Sequence, residues 1–152
     1  MDFNKKIIKE EKVAYINHKG IVEDMGIVLE KLMGFIVKNN LSICGPPFSL
    51  YFTDPSMVEP EEMVYDMAVP ICGDFEAEGE IQIKIIPEHS VISAIHKGEY
   101  TNLPDTYMAI WNYIQDNKYE PNGIPKEIYF NSPHEVPVEE LLTEVQFPIE
   151  DK

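Results

Sequence analysis

The second half of the chain sets an acidic residue among aromatic ones. In KEIYFNSP, Glu127 and Tyr129 stand two apart with Asn131 beyond them, and in LPDTYMAIWNYIQDN, Tyr107 and Trp111 stand four apart. Residues two apart in a strand share a face, and a spacing of four puts two side chains on one face of a helix. A carboxylate beside such rings can hold an organic cation, each ring face adding about 0.5–2 kcal/mol. The same carboxylate with a tyrosine hydroxyl can instead act as general base and acid toward an electrophile. A plainer reading stands beside both. Aromatic residues at helical spacing commonly pack a core, and Glu127, following Lys126 in an apolar strand, can point to solvent.

Other chemistries find little support. The formal net charge is −15 over 152 residues, which argues against direct nucleic-acid binding, because phosphate contacts need Lys and Arg. An acidic field of this size attracts cations. Histidines 18, 89, 96 and 134 lack the spacing of a zinc site. Cys44 and Cys72 read as two isolated thiols, too few for a disulfide scaffold or a four-ligand metal site. No P-loop, nucleophile elbow or compelling Ser-His-Asp set occurs, so neither metal nor cofactor is expected. No apolar run of membrane length and no secretory leader is present, and the expected location is the cytoplasm.

The elements that carry Glu127 and Tyr107 emerge from an internal repeat. His-Lys-Gly occurs at residues 18–20 and again at 96–98. Sliding the chain by 78 lays residues 3–71 over 81–149 without a gap, with 20 identities in 69 positions. Among them are Lys6/Lys84, His18/His96, Gly20/Gly98, Tyr51/Tyr129, Pro55/Pro133 and Pro70-Ile71/Pro148-Ile149. A two-copy repeat suggests a pseudo-two-fold body rather than a solenoid. Residues 72–80, CGDFEAEGE, then form a linker, and the whole chain is expected to fold as one domain that buries roughly 70% of its unfolded surface.

Each copy reads strand, strand, helix, strand, strand. NKKIIKE and EIQIKIIPE open the copies, and KVAYINHKG and SVISAIHKG follow, each stopped by glycine. Met25, Leu29, Leu32 and Ile36, and Leu103, Tyr107, Ile110 and Ile114, mark the helices. FSLYFTDP and KEIYFNSP are strands closed by proline, and VYDMAVPI and LTEVQFPI complete the copies. His-Lys-Gly is the strand-to-helix corner, so its histidines are expected to be structural. The acidic stretches 59–66 and 136–144 read as carboxylate-rich first turns of short helices.

The differences between copies single out the second. Leu29 and Met33 are matched by Tyr107 and Trp111, Ser49 by Glu127, and Val22 by Tyr100. Copy two thus supplies rings and a carboxylate where copy one supplies aliphatic or small groups.

The repeated unit, its HKG corners, the GPP and GIP turns into LYFTDP and IYFNSP, and the TEVQFPI ending resemble the GyrI-like small-molecule-binding domain, also known as the AraC-type or bacterial-activator effector-binding domain. That resemblance implies an α+β fold: a duplicated strand–helix–strand–strand module with pseudo-two-fold symmetry, a curved antiparallel sheet, two main helices and a central cleft. It implies binding of hydrophobic aromatic, often cationic, molecules, in a multidrug-sensing or sequestering role. Because the chain opens on its first strand, a free-standing copy of the sensor domain is expected. The "E-I-Y" of copy two matches the position where drug-binding relatives place a buried acid beneath the ligand. This makes Glu127 the first choice of counter-charge, with Tyr107, Trp111, Tyr129, Tyr15, Phe48 and Tyr51 as aromatic walls. Burial is expected to raise its pKa. The family also implies alternatives: hydrolysis of strained electrophiles with Glu127 and Tyr107, or a protein partner such as gyrase or a transcription regulator.

Overall fold

The structure is a computed structural model that describes residues 1–54 and 57–150; Pro55, matched by Pro133 in the repeat, lies outside the described residues. In chain order the elements are β1 (Asn4–Ile8), β2 (Glu11–Lys19), α1 (Met25–Lys38), β3 (Ser42–Ile43), β4 (Phe48–Tyr51), β5 (Val64–Cys72), β6 (Gln82–Ile86), β7 (His89–Lys97), α2 (Leu103–Asp116), β8 (Lys126–Tyr129) and β9 (Leu142–Ile149). The class is α+β with antiparallel pairing, and the order of elements repeats as the sequence implies.

The compact units do not coincide with the repeats. One unit is Glu10–Pro87 and the other is Met1–Lys9 with Glu88–Lys152. The first strand of each repeat belongs to the other repeat's unit: β1 pairs with β7, and β6 pairs with β2. The connections between consecutive strands are not tight hairpins. Lys9-Glu10 and Pro87-Glu88 join β1 to β2 and β6 to β7, and a two-residue hairpin needs residues that accept positive φ. Neither dipeptide adopts it.

In the unit Glu10–Pro87 the strands run β4–β5–β2–β6, with β3 on the end of β5. In the other unit they run β1–β7–β9–β8. Residues paired across an antiparallel ladder share a face, so the register sorts the side chains. Ile92 pairs with Phe147 and Ala94 with Val145. These residues cluster with Ile110 and Ile114 of α2, which marks the helix-covered face. Leu103, Ile110 and Ile114 recur at the spacing of an amphipathic stripe. In the other unit Val28, Leu32, Phe35 and Ile36 form the buried stripe of α1. Asn40 and Lys118, at φ 52° and 60°, end the two helices in the left-handed conformation.

The His-Lys-Gly corners are structural. His18 Nε2 lies 2.9 Å from Asp24 Oδ2, tying the end of β2 to the turn before α1. His96 Nε2 donates to the Glu99 carbonyl at 2.8 Å, and its Nδ1 lies 2.7 Å from the Thr106 hydroxyl. At the first corner the glycine follows from crowding, since a Cβ on Gly20 would stand 2.8 Å from His18 Nε2 and 2.9 Å from Asp24 Oδ2, whereas at the second Gly98 has open space and a φ of 122° that favours glycine. The acidic stretches are single 3-10 turns at Pro60–Glu62 and Val138–Glu140 with carboxylates in the first turn.

One expectation is corrected. Cys44 and Cys72 are not isolated thiols; a disulfide joins them, with Cα atoms 5.6 Å apart. The cause is the pairing of β3 with the end of β5, which sets Ser42 against Cys72 and leaves Cys44 alongside. Spacing in the sequence carried no sign of this, because β3 is only two residues long.

Candidate functional site

Glu127 is 6% exposed, which removes the reading of a residue turned to water. The ladder explains its direction. Glu127 pairs with Val145, so it shares the α2-covered face, where Tyr107 of α2 packs against the same core. The Tyr107 hydroxyl donates to Glu127 Oε2, and the Tyr129 hydroxyl donates to Oε1 at 2.9 Å. Two phenols thus engage the two oxygens of one buried carboxylate. A desolvated carboxylate is costly unless its oxygens are met, and charge-assisted hydrogen bonds of this kind are stronger than neutral ones.

Further rings surround the pair. Tyr107 meets Phe147 edge to face with centroids 5.6 Å apart, and Tyr129 meets Tyr100 in the same manner at 6.0 Å. Burial, and then the negative charge of Glu127, push the Tyr100 phenol above its usual pKa. Tyr100 was not among the expected walls. Its mismatch with Val22 across the repeat was the signal that pointed to it, and Phe147 against Val69 is a second signal of the same kind.

The remaining expected residues are placed as follows. Trp111, one turn beyond Tyr107, is 42% exposed. Asn131 lies past the end of β8 and is spent on the backbone, donating to the Glu140 carbonyl and accepting from Leu142 N–H. Tyr15, Phe48 and Tyr51 belong to the other compact unit. Phe48 is buried in its core. The Tyr51 hydroxyl lies 3.9 Å from the Met25 sulfur, and its ring faces that of Tyr65 at 6.1 Å. Tyr15 reaches Gln82 through its hydroxyl at 3.0 Å. The repeat-equivalent of Glu127 in that unit is Ser49, fully buried opposite Met67.

The arrangement has a defined chemical capacity. The carboxylate carries the Tyr107 hydroxyl on one oxygen and the Tyr129 hydroxyl on the other, so a ligand that displaces either must make good the lost hydrogen bond. A cation does so at the smallest cost, because it leaves the carboxylate compensated. Among the described residues there is no group of three or more His, Cys, Asp or Glu placed to hold a metal ion. No helix among them is long and apolar enough to cross a membrane.

Comparison with known proteins bears on the family and the fold. No curated protein matches by sequence. The crystal structure of the EcmrR C-terminal domain superposes with a TM-score of 0.85 at 25% identity, over 99% of this chain and 98% of that one. EcmrR in its complex with DNA gives the same score at 24% identity, and there this chain spans 58% of the EcmrR chain. SAV2435 bound to tetraphenylphosphonium shares the fold, with a TM-score of 0.64 at 12% identity over 99% of this chain and 94% of that one. A hydrolase from Listeria innocua shares it at 0.74 and 8% identity, over 97% of this chain and 91% of that one. The pattern of the GyrI-like small molecule binding domain matches residues 1–150, and the chain belongs to that family.

Proposed function

We propose that this domain binds hydrophobic aromatic cations at Glu127, in a drug-sensing or sequestering role. The observation that carries the reading is the buried Glu127 carboxylate with the Tyr107 and Tyr129 hydroxyls on its two oxygens. Family membership supports it, and so does the tetraphenylphosphonium held by SAV2435. In this reading Tyr107 and Tyr129 swing from the carboxylate to flank the ligand, and Tyr100 and Trp111 add ring surface. The role of counter-charge falls to Glu127 alone among the residues of its ring cluster named here.

Calorimetric titration with tetraphenylphosphonium and with rhodamine 6G tests this. Wild type binds both, and ligand at 100 times its dissociation constant stabilises the fold by about 2.7 kcal/mol. Glu127→Gln keeps the fold and loses at least tenfold in affinity for both cations. Equal binding by wild type and Glu127→Gln rejects the site.

The hydrogen bond from Tyr107 to Glu127 favours a second reading, in which Glu127 activates water and Tyr107 donates a proton to the leaving oxygen of a strained electrophile. Catalytic turnover of an epoxide, lost in Glu127→Gln, would establish it. Stoichiometric capture without turnover leaves binding as the function.

A further inference from the structure

A second carboxylate is buried in the unit Glu10–Pro87, on the opposite face of its sheet from Ser49 and α1. Asp66 pairs with Asn17 in β2 and with Leu50 in β4, and its side chain is only 2% exposed. Asn17 Nδ2 donates to Asp66 Oδ1 at 2.9 Å. The other oxygen, Oδ2, receives the ammonium of Lys84 from β6. The same ammonium lies 4.2 Å from the centroid of the Tyr15 ring and 5.7 Å from that of Phe52.

A carboxylate and two rings around one nitrogen are the surroundings that recognise an organic ammonium, and the Asn17 amide holds the carboxylate in place through its other oxygen. Here the ammonium is covalently part of the chain. We propose that Asp66, Tyr15 and Phe52 form a second cation site, whose occupant in the unliganded protein is the Lys84 side chain, and that an external primary alkylammonium competes with Lys84 for it.

Three observations support an exchangeable occupant rather than a plain internal ion pair. The Lys84 side chain is 29% exposed while its partner is sealed, so the cation has a route to water that the anion lacks. Phe52 is 43% exposed and follows β4 rather than lying within it, so one wall of the site borders solvent. The Tyr15 ring is also particular to this copy. The repeat-equivalent pair, Lys6 with Glu144 at 2.6 Å, has Ser93 at the position of Tyr15. An ion pair alone is enough to fasten a strand in both units; the added ring is what a site for an organic cation requires. Removing Lys84 leaves an uncompensated buried charge, which drives an external cation into the vacancy.

The probe is n-butylammonium, followed by NMR and calorimetry on the full chain. In wild type the Lys84 ε-methylene resonance is shifted upfield by the Tyr15 ring and moves toward its solvent-exposed position as butylammonium is added. Lys84→Met binds butylammonium at least tenfold more tightly than wild type. The gain persists in Glu127→Gln, which separates this site from the one proposed above, and disappears in Lys84→Met with Asp66→Asn. A Lys84 resonance that is unshifted, or unmoved by excess butylammonium, overturns the proposal without any variant. So does a Lys84→Met protein that binds no more tightly than wild type, or a gain that survives Asp66→Asn.

Discussion

A tyrosine hydroxyl partly withdrawn from water holds its proton for reasons that can be separated at two positions in this protein. Tyr100 is perturbed by burial and then by Glu127, so its titration is a reporter for the charge at the proposed site. Tyr65 is pushed up to about 12 by burial and then by the negative charges of Asp24 and Glu23. In the unfolded chain a tyrosine ionises near its ordinary value of 10.0. Folded Tyr65 therefore keeps a proton that the unfolded chain releases, and its contribution to stability is complete below pH 10 and lost as pH rises toward 12. Urea melts at about pH 9 and about pH 11 should show wild type losing more stability over that interval than Tyr65→Phe. Identical alkaline slopes would show that Tyr65 does not carry the effect. Residue-scale features were legible in the sequence where the copies disagree: Glu127 against Ser49 and Tyr107 against Leu29 mark the carboxylate and a ring that meets it. Asp66 was hidden by agreement, because its equivalent is also acidic and both sit at the end of a run of surface carboxylates.

At the scale of elements, the short strand β3 has an effect out of proportion to its length. It holds Cys44 beside Cys72 at the end of β5, and the resulting crosslink closes a loop of 28 positions that contains β4. On the chain-entropy account such a loop contributes between about 3 and 4 kcal/mol, before any strain is subtracted. Cys44→Ser should therefore melt several degrees below oxidised wild type, and the gap should close when both are measured in excess reductant. An unchanged gap under reduction would trace the loss to packing instead. Helices and long strands were legible because their periods, 3.6 and 2, survive in both copies, as at Leu103, Ile110 and Ile114. The β3–β5 pairing was not, since two residues carry no period.

At the scale of the whole molecule, the repeat is evident in sequence while the exchange of first strands is not. Lys6-Ile7-Ile8 and Lys84-Ile85-Ile86 are identical tripeptides, so nothing in their composition says which sheet each completes. The connections at residues 9–10 and 87–88 carry no residue at positive φ, in keeping with strands that do not reverse tightly there. This crossing of strands bears on what a half-length product would do. A polypeptide ending at residue 80 retains β1, whose partner β7 is gone, and lacks β6, which should flank β2. Two such polypeptides hold matching surpluses and deficits, since each can lend its opening strand to the flank of its twin. Sedimentation of the 1–80 product should accordingly reveal a reciprocal dimer, the arrangement a single-copy ancestor would have needed before its gene was doubled.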